Sequence, residues 1–148
     1  MFFDTYLESR LKSTRKSICE GMVFAMERPQ FSKAISSRIV DSITDIAVSE
    51  ESKSTDLVRV KTLLHLISDI LFNSVQTTEA WSYVLHFEQA MPTLMLHLNA
   101  KLAQSTYGKM SRDKLLKDVK SLFQVWTEKS IFDERLTTGW MATLVKDT

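Results

Sequence analysis

Apolar residues recur at i, i+3 and i+4 along most of this chain and nowhere alternate with polar ones for the length of a strand. That period belongs to helices with one buried face, and it divides the sequence into about eight of them. Phe3, Tyr6, Leu7 and Arg10 give a short first helix over roughly 2–11. Ser13 or Thr14 is placed to cap a second, whose stripe Ile18, Met22, Ala25 and Met26 is stopped by Pro29. Phe31, Ile35, Ile39, Ile43 and Ile46 mark a third. After the polar stretch 49–54, Ser54 or Thr55 opens a fourth helix with Leu57, Val60, Leu64, Ile67 and Leu71 on its core side. Trp81, Val84, Leu85 and Glu88 suggest a fifth, which Pro92 separates from a sixth through Leu94, Leu98 and Leu102. Ser111 is expected to cap a seventh carrying Leu115, Val119, Leu122 and Trp126, and Asp133 starts an eighth with Leu136, Trp140 and Leu144. Antiparallel helices with short connections and no repeat period make an all-α superhelical domain. Trp126 and Trp140 are expected in its core.

The fourth helix carries a second pattern opposite its apolar arc. At about 100° per residue, Thr62, His65, Asp69, Asn73 and Gln76 fall in a row about one turn apart. These side chains donate and accept hydrogen bonds, and the Lys and Glu pairs of a solvated helix face are missing among them. Such a row suits the floor of a groove. The alternative is that His65 and Asp69 form an ordinary i, i+4 pair on a wet surface.

Composition narrows the function more than the fold. The 148 residues, 44% apolar and 25% charged, suit one domain with a real core. Nineteen basic and eighteen acidic residues leave a net charge of +1, so no global field draws duplex nucleic acid or an anionic membrane. Cys19 is the single cysteine, which excludes an internal disulfide and fits a reducing compartment. No apolar run approaches the ~20 residues of a bilayer span, and Met-Phe-Phe-Asp-Thr-Tyr does not begin a signal peptide. An intracellular, soluble protein without a membrane partner is expected. His65, His86 and His97 lie on separate segments without a second ligand type at metal-binding spacing. There is no glycine-rich phosphate loop or nucleophile elbow, and Cys19 reads as a packed small side chain. The expectation is a protein that is not an enzyme and holds neither metal nor cofactor. One cation cluster stands out: Lys12, Arg15 and Lys16 surround the start of the second helix. The helix dipole disfavours cations there by ~0.3–1 kcal/mol each unless an anion compensates, which suggests phosphate; long side chains bending into water explain it equally.

Three segments carry a resemblance: Ser-Thr-Arg-Lys-Ser-Ile at 13–18, Leu-Ile-Ser-Asp-Ile-Leu-Phe-Asn-Ser at 66–74 and Phe-Gln-Val-Trp-Thr-Glu-Lys-Ser-Ile-Phe at 123–132. Their order resembles the CTD-interacting domain (CID, or RPR domain), related to ENTH and VHS domains. The resemblance covers nearly the whole chain. It implies a right-handed superhelix of about eight antiparallel helices that binds phosphorylated heptad repeats of the RNA polymerase II tail. Residues 21–25, 39–44 and 83–88 look most like the U2 snRNP-associated SR-type splicing proteins. Residues 1–148 would then be a single CID, one module of a larger nuclear protein that meets RNA only through other domains, with splicing-factor proteins as further partners.

The resemblance also implies roles. Asp69 accepts the hydroxyl of the heptad tyrosine, Asn73 bonds the peptide backbone at its turn, and Ser13 and Arg15 flank the peptide. His65 stands where many relatives have Tyr, and Lys129 matches a basic position after the seventh helix. Several phosphoserine readers have Arg five residues before the tryptophan of that helix, and here the place is Ser121. Arg15, Lys117, Lys120 and Lys129 are the remaining phosphate-binding candidates. Lysines act there as point charges without the bidentate fork of arginine, so weak binding or altered phospho-selectivity is expected. Two other functions fit the same fold: a helical scaffold for splicing-complex proteins without tail recognition, and a trafficking adaptor using the Phe2, Phe3, Tyr6 and Leu7 face.

Overall fold

The computed structural model describes residues 2–104 and 106–147. Helix α1 (Phe2–Thr5) runs on as a π-helical turn (Tyr6–Arg10) and is followed by α2 (Arg15–Met26). A 3-10 turn (Pro29–Phe31) leads into α3 (Ser32–Val48), α4 (Asp56–Ser74), α5 (Ser82–Leu102), α6 (Lys109–Glu128) and α7 (Glu134–Leu144). Among the described residues there is no strand, and no helix is long and apolar enough to cross a membrane.

Helix α4 is the centre of the packing. Its Leu63, Leu64, Leu66, Ile67, Ile70 and Leu71 are completely buried, and α2, α3, α5 and α6 all lie against it. Helix α5 packs on α3 and α7, and α6 closes on α7. Trp126 and Trp140 are in the core as expected, in a cluster with Phe123 and Phe132. The rings meet edge to face: Phe132 and Trp140 at 5.1 Å, Trp126 and Phe132 at 5.8 Å, Phe123 and Trp140 at 5.8 Å.

Cap chemistry sets several of the helix ends. Thr14 Oγ1 accepts from the Ser17 N–H at 3.2 Å, and the Asp133 carboxylate accepts from the Arg135 N–H at 2.8 Å. The last turn of α6 ends with Ile131 N–H donating to Trp126 O at 2.9 Å and Ser130 N–H to Thr127 O at 3.0 Å. This closure needs a left-handed residue, and Ser130 takes that place with φ 58° where glycine is usual.

Three expectations are corrected. Pro92 does not divide two helices; it sits inside the unbroken α5. A proline there costs about 3 kcal/mol. Burial of Tyr83, Val84 and Phe87 before it and Met91, Leu94, Met95 and Leu98 after it offsets this, at ~1.5–3 kcal/mol per large side chain. That continuous face also turns Leu85 outward, and Trp81 just before α5, Phe31 and Leu136 likewise stand exposed. Ser111 does not cap α6. The helix begins at Lys109 after the extended Gly108, whose carbonyl accepts from the Arg112 N–H at 3.1 Å. Finally, the face expected of a trafficking adaptor is consumed by the core. Phe3 and Leu7 are completely buried, Phe3 stacks on Phe24 at 5.0 Å, and the Tyr6 hydroxyl donates to Ser17 O. The side chain of Phe2 lies outside the described residues.

Candidate functional site

Along the row on α4, one member is misplaced: Thr62 is buried. Its hydroxyl donates to Val58 O at 2.9 Å, one turn back, so it enters the core with its polar group satisfied. From His65 onward the row lies at the boundary between core and solvent, with Gln76 exposed. The i, i+4 pairing of His65 with Asp69 does not occur. Each turns to another helix.

Asp69 faces α2. Its Oδ2 accepts from Arg15 Nη1 at 2.6 Å, with the carboxylate side chain 12% exposed and the arginine 76% exposed. The hydrogen bond and charge of Asp69 raise the pKa of the Arg15 guanidinium above its ordinary value. The anion that compensates this cation at the helix start is thus Asp69. An ion pair with one partner so exposed contributes at most ~1 kcal/mol, so its members are free to exchange partners at little cost. Gly21 makes the meeting of the two helices possible. A Cβ there would come within 2.9 Å of Leu66 Cδ1 and 3.1 Å of the Tyr6 ring. Asn73 Nδ2 donates to the Asp69 carbonyl at 2.8 Å, one turn along α4.

His65 faces α6. Its Nε2 lies 3.0 and 3.1 Å from the two carboxylate oxygens of Asp118. One turn deeper, the indole N–H of Trp126 donates to Ser68 Oγ at 3.0 Å in the buried seam between the same helices. Asp69, His65 and Asn73 therefore form a strip on α4, bounded by Arg15 at the start of α2 and by Asp118 on α6.

The remaining candidates are not all gathered at this strip. Ser13 is exposed, two residues before α2 begins. Lys117 is exposed beside Asp118, and its carbonyl accepts from Ser121 Oγ at 3.0 Å. Lys120 belongs to a different surface, a cavity of about 700 Å³ between α6 and α7 that it shares with Phe123, Thr137 and Met141. Rotation by ~100° per residue carries it away from Asp118. Lys129 is exposed just past the end of α6.

The sequence model of the CID domain family matches residues 2–139. The chain belongs to the CID family. CIDs are protein-interaction modules rather than enzymes, known for binding the C-terminal tail of RNA polymerase II in RNA processing, typically in the nucleus. A search of curated proteins found no match.

In this CID, the match runs from α1 into α7, so the α4 strip and both of its walls lie inside it. The strip offers a carboxylate acceptor, an exposed guanidinium, an amide and an imidazole, groups that donate and accept hydrogen bonds. Among the described residues, no three His, Cys, Asp or Glu side chains gather where a metal ion could be held. Sequence reasoning missed Asp118, Ser68 and Gly21. Asp118 is the one acid among Lys114, Lys117 and Lys120, which gave a signal that a partner existed without saying which.

Proposed function

We propose that this domain reads heptad repeats of the RNA polymerase II tail on the α4 strip, as one module of a nuclear protein coupling transcription to splicing. The observation that carries the reading is the Arg15–Asp69 pair, in which a sheltered acceptor is held by an exposed cation. A peptide tyrosine hydroxyl can take the Asp69 carboxylate while a neighbouring phosphoryl group takes the released Arg15. One weak contact is thereby exchanged for two charge-assisted hydrogen bonds of ~1.5–3 kcal/mol each before ordering costs. Asn73 then serves the peptide backbone, Ser13 flanks the chain, and His65, tied to Asp118, forms part of the wall.

Phosphate reading is modest in this account. Ser121 supplies no charge, Lys117 is a solvated point charge near the strip, Lys129 reaches only a different part of the peptide, and Lys120 is turned towards α7. Phosphorylation should raise affinity by less than about tenfold, with the gain shrinking in salt. The test is fluorescence anisotropy with two-repeat tail peptides, unphosphorylated and phosphorylated. Asp69→Ala should abolish binding of both, Arg15→Ala should weaken only the phosphorylated one, and Ser121→Arg should raise its affinity. A hundredfold gain in the native domain, or unaltered binding by Asp69→Ala, contradicts the assignment.

A scaffold role has one observation in its favour. Exposed Phe31 and Trp81 stand at the starts of α3 and α5, where the hydroxyls of Ser32 and Ser82 lie 2.6 Å apart. Two aromatic rings left in solvent suit contact with another splicing-complex protein.

A further inference from the structure

A second cavity, of about 590 Å³, lies where the loop before α4 and the loop before α6 come together. Three lysines from three elements line it: Lys53 from the first loop, Lys61 from α4 and Lys114 from α6. Among the described residues none of the three ammonium groups has a carboxylate partner. Two acids beside the cavity are already engaged. Buried Asp56 accepts from the Lys53 N–H at 2.8 Å and the Tyr107 hydroxyl at 2.7 Å, and Asp113 holds Lys109 at 3.1 Å. Burial and the Asp56 carboxylate push the Tyr107 hydroxyl up to about 12, so this part of the wall stays a neutral donor. Helices α4 and α6 both begin at this place, and neither Thr55 nor Gly108 forms a side-chain cap. At α4 the Asp56 N–H is taken by Lys53 O at 3.1 Å and its carboxylate opposes the dipole, so the first-turn N–H groups of α6 are the ones that add to the positive field of the lysines.

The cavity lies on the cleft that holds the strip. Lys61 is one turn before His65 on α4 and Lys114 one turn before Asp118 on α6, the pair that bridges the cleft. Lys61 precedes Asp69 by eight residues, about 12 Å at 1.5 Å per residue. An extended peptide spans that distance in about four residues.

We propose that this cavity binds the phosphoryl group of a phosphorylated residue about four positions from the tyrosine seated at Asp69, on the same peptide. The inference rests on the tail-binding reading. The lining contains no arginine, and its one aromatic ring, Tyr107, is buried. It therefore fits a single phosphomonoester better than a nucleic-acid strand, which needs stacking surfaces as well as charge.

The test begins with inorganic phosphate titrated into the 15N-labelled domain. Saturable amide shifts at 109–111 and around Lys61 are expected, and they should vanish in the Lys61→Ala/Lys114→Ala double variant, whose replaced side chains are exposed. Two-repeat tail peptides, one unphosphorylated and one phosphorylated only on the residue four positions from each tyrosine, with no phosphoryl group beside the tyrosine for Arg15 to take, then measure the gain. The native domain should bind the phosphorylated peptide about three- to tenfold tighter. The double variant should lose that gain while holding the unphosphorylated peptide as before, and Lys61→Arg/Lys114→Arg should restore it. Lys114→Gln alone repeats the comparison should the double variant fail to fold. Absence of saturable shifts, or a gain that survives in the alanine variant, overturns the proposal, as does an oligoribonucleotide displacing phosphate from the cavity more strongly than the phosphopeptide. Equal binding of both peptides by the native domain sinks the cavity assignment alone. No binding of either peptide sinks the tail reading and this inference with it.

Discussion

Where α6 meets α7, four aromatic rings interlock, with the hydroxyls of Thr127 and Thr137 2.8 Å apart at the edge. Where α6 and α2 border the α4 strip, the contacts are polar: His65 with Asp118 and Arg15 with Asp69. The rings of the first seam are buried, and its energy comes from area removed from water. The second is partly exposed, and its Arg15–Asp69 pair, with the arginine largely in solvent, contributes at most ~1 kcal/mol and can exchange partners. The domain thus keeps its stability apart from the strip proposed to receive a peptide.

That contrast can be broken by mutation. The largest expected effect is Trp140→Ala, which should cost about 3–5 kcal/mol in urea unfolding, the usual penalty for emptying a large aromatic site. A cost below ~1 kcal/mol would mean that the aromatic seam is not where stability resides. Asp69→Ala should cost no more than ~1 kcal/mol in the same measurement, because its partner is mostly solvated. Should Asp69→Ala unfold the domain, the strip is structural and the two seams are alike. Ser130→Gly should add ~0.5–1 kcal/mol by relieving the left-handed backbone at the end of α6. The smallest effect concerns pH. The Arg135 N–H holds the Asp133 carboxyl below its usual range, so the cap stabilises α7 above the unfolded pKa of about 3.9. This contribution fades as pH falls through the depressed folded value, and acid titrations of the native domain and Asp133→Asn should converge there.

The fold was legible because the core stripes of α2, α3, α4 and α6 repeat at helical period, and the strip because His65, Asp69 and Asn73 recur one turn apart opposite the apolar arc of α4. What pairs with the strip was not legible. Asp118 is 53 residues from His65 and Arg15 is 54 from Asp69, and no local pattern encodes such distances. Local rules also failed where tertiary packing overrode them. Pro92 ends a helix in isolation but not when the stripe on both sides of it is buried. Ser111 is a better cap than Gly108 by propensity, yet the chain turns into α6 at Gly108.

Lys101 carries a consequence for the order of folding. Its side chain is 1% exposed, and its ammonium donates to Ser49 O at 2.6 Å and Glu51 O at 2.9 Å, fixing the loop that walls the lysine cavity. These bonds span 52 and 50 residues, and the neighbouring ties of Ser52 to Thr106 and Tyr107 to Asp56 span 54 and 51. Each closes a long loop of chain, an entropic cost met only once α3 and α5 have docked. The helices can form from local contacts in microseconds, whereas this corner has to wait for the whole chain to arrive. Substitutions at Lys101 should accordingly speed unfolding far more than they slow folding.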